Sequence, residues 1–187
     1  MPRVLPCLRD QLRASQPVAG QECFDGDRVA VTMGRITVLG TGERLVGRGV
    51  RAFDPVIREL VQSARQEIQL AIYRFDESAT SFLNLLKQAA ARGVRVLVIV
   101  SALSAQPPGI RAQLARLQEA GMQVVDFAAS TGGFLHAKAI VADRKRAVIG
   151  SANLTWGGLA QNHEPGVLIE GVEAWEIAHL LDGLAQP

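Results

Sequence analysis

Between residues 54 and 127 the chain alternates helix-period with strand-period segments, and that rhythm restricts it to a layered α/β architecture. The helical stretches run from 54 or 55 to about 65, from 78 to 92 and from 110 to 120, with apolar strands expected at 67–73, 94–100 and 122–127. Asp54-Pro55 offers a cap followed by a proline at the first helical position, and Gly93 and Gly121 stand where helices stop. Strands joined by helical crossovers pair in parallel. The predicted fold class is therefore α/β, with a mixed, mainly parallel sheet flanked by helices on both faces.

Different elements follow in the last third. Residues 135–142 are mostly apolar and lie between Gly132-Gly133 and a charged turn at 143–146, which predicts a strand. Residues 146–149 read as its antiparallel return, and Gly150-Ser151-Ala152-Asn153 as the tight loop that ends it. A short helix at 154–160, capped by Ser151 or Asn153, a strand at 167–170 and an amphipathic helix at 174–184 carrying Trp175 complete the chain. The loop 103–109, with Pro107-Pro108, follows a strand's carboxyl end, where α/β sheets place ligands. Upstream, 28–33 and 35–39 around Gly34 suggest a hairpin, and 40–49 is a glycine-rich connector. We divide the chain into an N-terminal, hairpin-like extension (1–45) of unassigned role and a main domain (46–187).

His136 and Lys138 project from one face of the 135–142 strand because side chains alternate with period two. Two potential cations among apolar neighbours repel each other unless an anion sits between them, and a phosphate suits that place. Ser151 or Asn153 would add neutral donors to the charged pair.

At these residues the chain resembles the phospholipase D superfamily, whose hallmark is His-x-Lys-x4-Asp followed by Gly-Ser-x-Asn and a later Glu. His136, Lys138, Asp143, Gly150, Ser151, Asn153 and Glu164 match it in order and spacing. The looser likeness reaches upstream to about Val46. The resemblance implies phosphodiester cleavage through a covalent phosphohistidine, with no cofactor and no metal. It assigns His136 as nucleophile, Lys138, Ser151 and Asn153 to the nonbridging oxygens, and Glu164 to the second imidazole nitrogen. Asp143 and Gly150 take structural places, Asp143 on the strand face opposite His136. No second His-x-Lys occurs, since His163 and His179 lack the pattern. Small single-motif members, similar to the bacterial endonucleases of this superfamily, pair two identical chains, so a symmetric homodimer with a shared site is expected.

Composition narrows the partners only slightly. The formal charge of +2 gives no overall argument for nucleic acid, so any such argument rests on local clusters. Arg144, Lys145 and Arg146 in the turn are candidate phosphate contacts or a solvated turn, and Arg44, Arg48 and Arg51 precede the first core helix. Cys7 and Cys23 match no metal spacing and read as free thiols, with a disulfide between them as the alternative. No apolar run approaches the roughly 20 residues of a transmembrane span, and the first residues lack a signal-peptide core, so a cytoplasmic protein is expected. Nucleic acid is the expected substrate. Lipid phosphodiesters are the alternative, as is a weakly active binding or assembly module that recruits nucleic acid or a protein partner through residues 1–45.

Overall fold

The computed structural model describes residues 34–47, 49–127 and 132–186. In chain order the elements are β1 (Arg35–Gly40), β2 (Arg51–Ala52), α1 (Phe53–Ser63), β3 (Glu67–Ile72), α2 (Thr80–Ala91), β4 (Arg95–Ser101), α3 (Pro108–Glu119) and β5 (Gln123–Phe127). They continue with β6 (Lys138–Ala142), β7 (Arg146–Gly150), β8 (Pro165–Glu170) and α4 (Val172–Leu184). The strands form one sheet in the order β2-β1-β8-β7-β6-β3-β4-β5.

The sheet is mixed, but it is not mainly parallel. Parallel pairing is confined to β1–β2, β3–β4 and β4–β5, while β1–β8, β3–β6, β6–β7 and β7–β8 are antiparallel. The reason lies in the connections: α2 and α3 carry the chain back across the sheet and enforce parallel neighbours, whereas the tight 143–145 turn permits only an antiparallel return. The 35–39 segment of the expected hairpin is β1, a full member of this sheet against β8. Its expected partner at 28–33 lies outside the described residues, as do Cys7 and Cys23.

Helices cover both faces unequally. Ile68, Leu70, Ile72, Val98, Val100 and Ile140 turn to the side packed by α1, α2 and α3, where Phe82, Leu86, Ile57 and Leu60 meet them. The opposite face presents Ala71, Val141 and Ala147 to Ala174, Ala178 and Leu181 of α4, and these small side chains let the helix approach the sheet closely. Gly93 and Gly121 end α2 and α3 at φ of 87° and 86°. Each stop is closed by a pair of bonds: Val94 N–H to Ala89 O (3.2 Å) with Gly93 N–H to Ala90 O (2.9 Å), and Met122 N–H to Leu117 O (3.1 Å) with Gly121 N–H to Gln118 O (3.0 Å).

Three local expectations differ from the structure. α1 starts at Phe53 with Ala52 as an N-cap that offers no side chain, and Asp54 instead pairs with Arg58 one turn on (2.8 Å). α3 begins earlier than expected, with Pro108 in its first turn. The helix expected at 154–160 is a π-helical turn, Gly157–Gln161, closed by Asn162 N–H to Gly157 O (2.8 Å). Neither Ser151 nor Asn153 caps it; Thr155 Oγ1 accepts from Gly158 N–H (3.0 Å) and Asp76 from Trp156 N–H (2.8 Å).

The early start of α1 has a packing cause. Phe53 is buried, and its ring fills the gap left by Gly150 and Gly166, which pair directly across β7 and β8. A Cβ on Gly150 would stand 2.5 Å from Phe53 Cζ, and one on Gly166 would overlap the same ring. Gly166→Ala should therefore cost about 1–3 kcal/mol through overpacking. Urea midpoints should show the double variant Gly166→Ala/Phe53→Leu losing less than the sum of the two single losses; strict additivity would mean the ring does not occupy that gap.

Candidate functional site

β3 ends at Ile72, directly opposite Lys138, and beyond that pair both chains leave the sheet. The strand expected over 135–142 is therefore shorter, because residues 135–137 run past the last rung. One bond, Tyr73 N–H to Ala137 O (3.0 Å), holds them to the β3 chain. Period two survives the break: Leu135 and Ala137 join the α4 side. His136 and Lys138 share the other.

Lys138 Nζ lies 3.0 Å from both ring nitrogens of His136 and donates to the His136 carbonyl at 3.0 Å. An ammonium has only donors, so a ring nitrogen facing it accepts. Burial pulls the Lys138 amine below its usual range, and the Glu164 carboxylate offsets part of that shift. The imidazole is exposed to solvent but stands against two rings. Tyr73 lies 4.6 Å away between centroids, and Phe134 sits edge-on at 5.8 Å. The Lys138 ammonium is 5.4 Å from the Tyr73 centroid, within cation–π range.

The Gly-Ser-x-Asn loop leaves the end of β7 beside this pair. The Ser151 hydroxyl donates to Glu164 Oε2, and Asn162 Nδ2 donates to Glu164 Oε1 at 3.1 Å. Within one chain, then, Glu164 is held by Ser151 and Asn162 and not by His136. The side-chain amide of Asn153 makes no hydrogen bond among the described residues, and its Oδ1 is buried. Gly158 packs against the Asn153 backbone so closely that a Cβ there would meet the Asn153 nitrogen at 2.8 Å.

Three residues that sequence patterns did not single out position the loops. Thr41, buried at the end of β1, places its hydroxyl 2.8 Å from Asn162 O and 3.0 Å from Gly158 O, and accepts from Glu164 N–H at 3.3 Å. Gln106, also buried, accepts from Phe75 N–H (3.1 Å) and donates to the Tyr73 and Ser101 carbonyls (3.0 Å each). It ties the loop after β4 to the end of β3. Asp76 couples that same end to the motif loop through Trp156, and Asp76 N–H donates to Leu154 O (3.3 Å). Only the position of Gln106 in a loop beyond a strand's carboxyl end signalled such a role.

The charged turn sits at the far end of β6 from Lys138. Arg144 is engaged there by Glu67 (2.5 Å) and Asp182 (2.8 Å) and Arg146 by the Ser63 hydroxyl, while Lys145 is exposed. His163 is exposed, as a loop residue would be, and His179 stacks on Trp175 at 5.5 Å on α4.

Asp143 occupies the same turn at a φ of 53° and accepts from the backbone N–H groups of Arg65 (2.9 Å), Gln66 (2.7 Å) and Glu67 (3.0 Å). Burial by itself would raise its carboxyl; those three donors and the Arg146 charge outweigh burial and hold it below the usual aspartate value. A depressed folded-state value contributes stability that is present above the unfolded value of about 3.9 and is lost as pH falls through the folded one. Asp143→Asn should therefore destabilise the fold at pH 7 by about 1–3 kcal/mol, with the deficit shrinking below about pH 4. Urea titrations at pH 7 and pH 3 measure both; an equal deficit at the two values would contradict the charged-acceptor role.

Residues 57–183, which include every motif position, match the family described as cardiolipin synthase, PLD-like domain. The chain belongs to this phospholipase D-like family. Among curated relatives, it is 34% identical over 121 residues to the virion nicking-joining enzyme of vaccinia virus (strain Western Reserve), a match covering 60% of this chain and 28% of that protein. It is 40% identical over 89 residues to the 5′-3′ exonuclease PLD3 of Rattus norvegicus, covering 46% of this chain and 17% of that protein. The phospholipase D-like chain thus spans less than a third of the length of these relatives. Its fold is that of Nuc, a phospholipase D family member from Salmonella typhimurium, with a TM-score of 0.66 and 19% identity over 81% of this chain and 94% of the other.

Proposed function

We propose that this phospholipase D-like chain is a metal-independent nuclease that cleaves phosphodiesters through a phosphohistidine on His136, in a site completed by a second copy. The observation that carries the proposal is the Lys138 ammonium 3.0 Å from the His136 ring, a cation and a nucleophile set side by side at the open end of a sheet. A ring nitrogen of His136 attacks phosphorus, the bond to the leaving oxygen breaks, and His136 of the partner subunit supplies that oxygen's proton. Water then attacks phosphorus, the partner imidazole takes its proton, and the phosphorus–nitrogen bond breaks to free His136. Lys138 and the unengaged Asn153 amide stabilise the nonbridging oxygens. Ser151 orients Glu164, which serves the imidazole of the partner subunit.

The names of the viral and rat relatives favour nucleic acid as the substrate. Among the described residues no three His, Cys, Asp or Glu side chains gather into a cluster that could hold a metal ion. No helix among them is long and apolar enough to cross a membrane. A lipid phosphodiester is the second reading, favoured by the family description and by the exposed Phe134 and Trp156.

The test incubates the purified chain with plasmid, oligonucleotide or fluorescent phosphatidylcholine in excess EDTA. Nucleic acid should be cleaved, and His136→Ala should reduce turnover on the order of 10³-fold or more and abolish the covalent phosphoryl intermediate. Activity lost in EDTA and restored by magnesium would sink the scheme, and cleavage of the lipid alone would transfer the site to the second reading.

A further inference from the structure

The rings beside His136 are not used by the scheme above. Phe134 is 65% exposed, yet its neighbours are the nucleophile at 5.8 Å and Tyr73 at 5.5 Å. Scattered exposed apolar residues need no explanation, but one set against a reacting group does. Tyr73 is fixed from both sides of its backbone, by Ala137 O through its N–H and by Gln106 Nε2 through its carbonyl. Phe134 and Tyr73 therefore form a wall with a firm inner ring and an open outer one, and Lys138 lies 5.4 Å from the inner ring's centroid.

An occupant must bring an anionic diester to Lys138 and a flat apolar group within reach of Phe134. A nucleotide does this, because one sugar separates its phosphate from its base. The acyl chains of a phospholipid begin beyond a glycerol and have no planar face to stack. We propose that Phe134, backed by Tyr73, stacks an unpaired nucleobase next to the scissile phosphate, so that the preferred substrate is single-stranded nucleic acid. This deepens, and rests on, the nuclease reading. In a duplex both faces of each base are covered by its neighbours, and a ring beside the backbone gains no face to stack on unless the strands open. Stacking of this kind tolerates any base, so it selects strandedness and not sequence.

The experiment compares four substrates: a single strand, the same strand with abasic nucleotides flanking the scissile bond, its duplex, and the base-free diester bis(p-nitrophenyl) phosphate. For the unaltered chain, kcat/KM on the single strand should exceed that on the abasic strand and on the duplex by on the order of tenfold or more. Phe134→Leu should erase most of the preference for base over abasic strand, chiefly through KM, and Phe134→Trp should retain it. Equal rates on intact and abasic strands, or a preference for duplex, would overturn the proposal on the unaltered chain, whatever the folding of the variants. Phe134→Leu lowering every substrate in proportion, with a changed mass by light scattering, would assign the ring to a subunit interface and likewise overturn it. Hydrolysis of bis(p-nitrophenyl) phosphate without cleavage of any oligonucleotide would instead refute the nuclease reading itself, and the stacking role with it.

Discussion

Everything at the site depends on the register of β6 against β3. Five rungs, from Ile68↔Ala142 to Ile72↔Lys138, set which side chains of β6 face which layer. A slip of one residue would turn His136 and Lys138 toward α4 and bring Ala137 and Ala139 to the face that His136 and Lys138 now share. The register is held at one end by Asp143, whose carboxylate collects the N–H groups of residues 65–67 at the start of β3. At the other end the sheet simply stops. His136 is consequently placed by the sheet without being paired into it, and its ring is exposed to solvent.

Much of this was legible from residue pattern because the relevant contacts are local. His136 and Lys138 share a face by period two, and that count needs no knowledge of the fold. The helix stops at Gly93 and Gly121 were equally readable, since each depends on one left-handed residue and the bonds just behind it. Pairing across the sheet was not legible. The mainly parallel sheet failed because the direction of β6, β7 and β8 relative to β3 is decided by tertiary assembly, and β1 was set apart as an extension although it completes the sheet beside β8. Thr41 was missed for the same reason, being separated by more than a hundred residues from the loop it braces. Arg144 looked free in the turn because its partners, Glu67 and Asp182, come from distant elements.

The proposed shared site answers two gaps that a single chain leaves. Glu164 is occupied by Ser151 and Asn162, so among the described residues of the same chain no carboxylate engages the His136 ring. One imidazole cannot both attack phosphorus and protonate the leaving oxygen in the same step, and the chain contains one His-x-Lys. Both gaps are filled if a second copy presents its own His136 and Glu164 across a two-fold axis. The Phe53 ring lodged against Gly150 and Gly166 braces the strand ends from which Ser151 and Glu164 project.

The central claim is that two His136 side chains divide the work. Mixed dimers carrying one unaltered chain and one His136→Ala chain test it directly, assayed on an ordinary phosphodiester and on a p-nitrophenyl diester whose leaving group needs no proton. The remaining histidine can attack but lacks its acid. The ordinary diester should therefore be cleaved on the order of 10²-fold or more slowly than by the unaltered dimer, and the activated ester should lose much less. Unaltered rates per intact chain on both substrates would contradict the shared site.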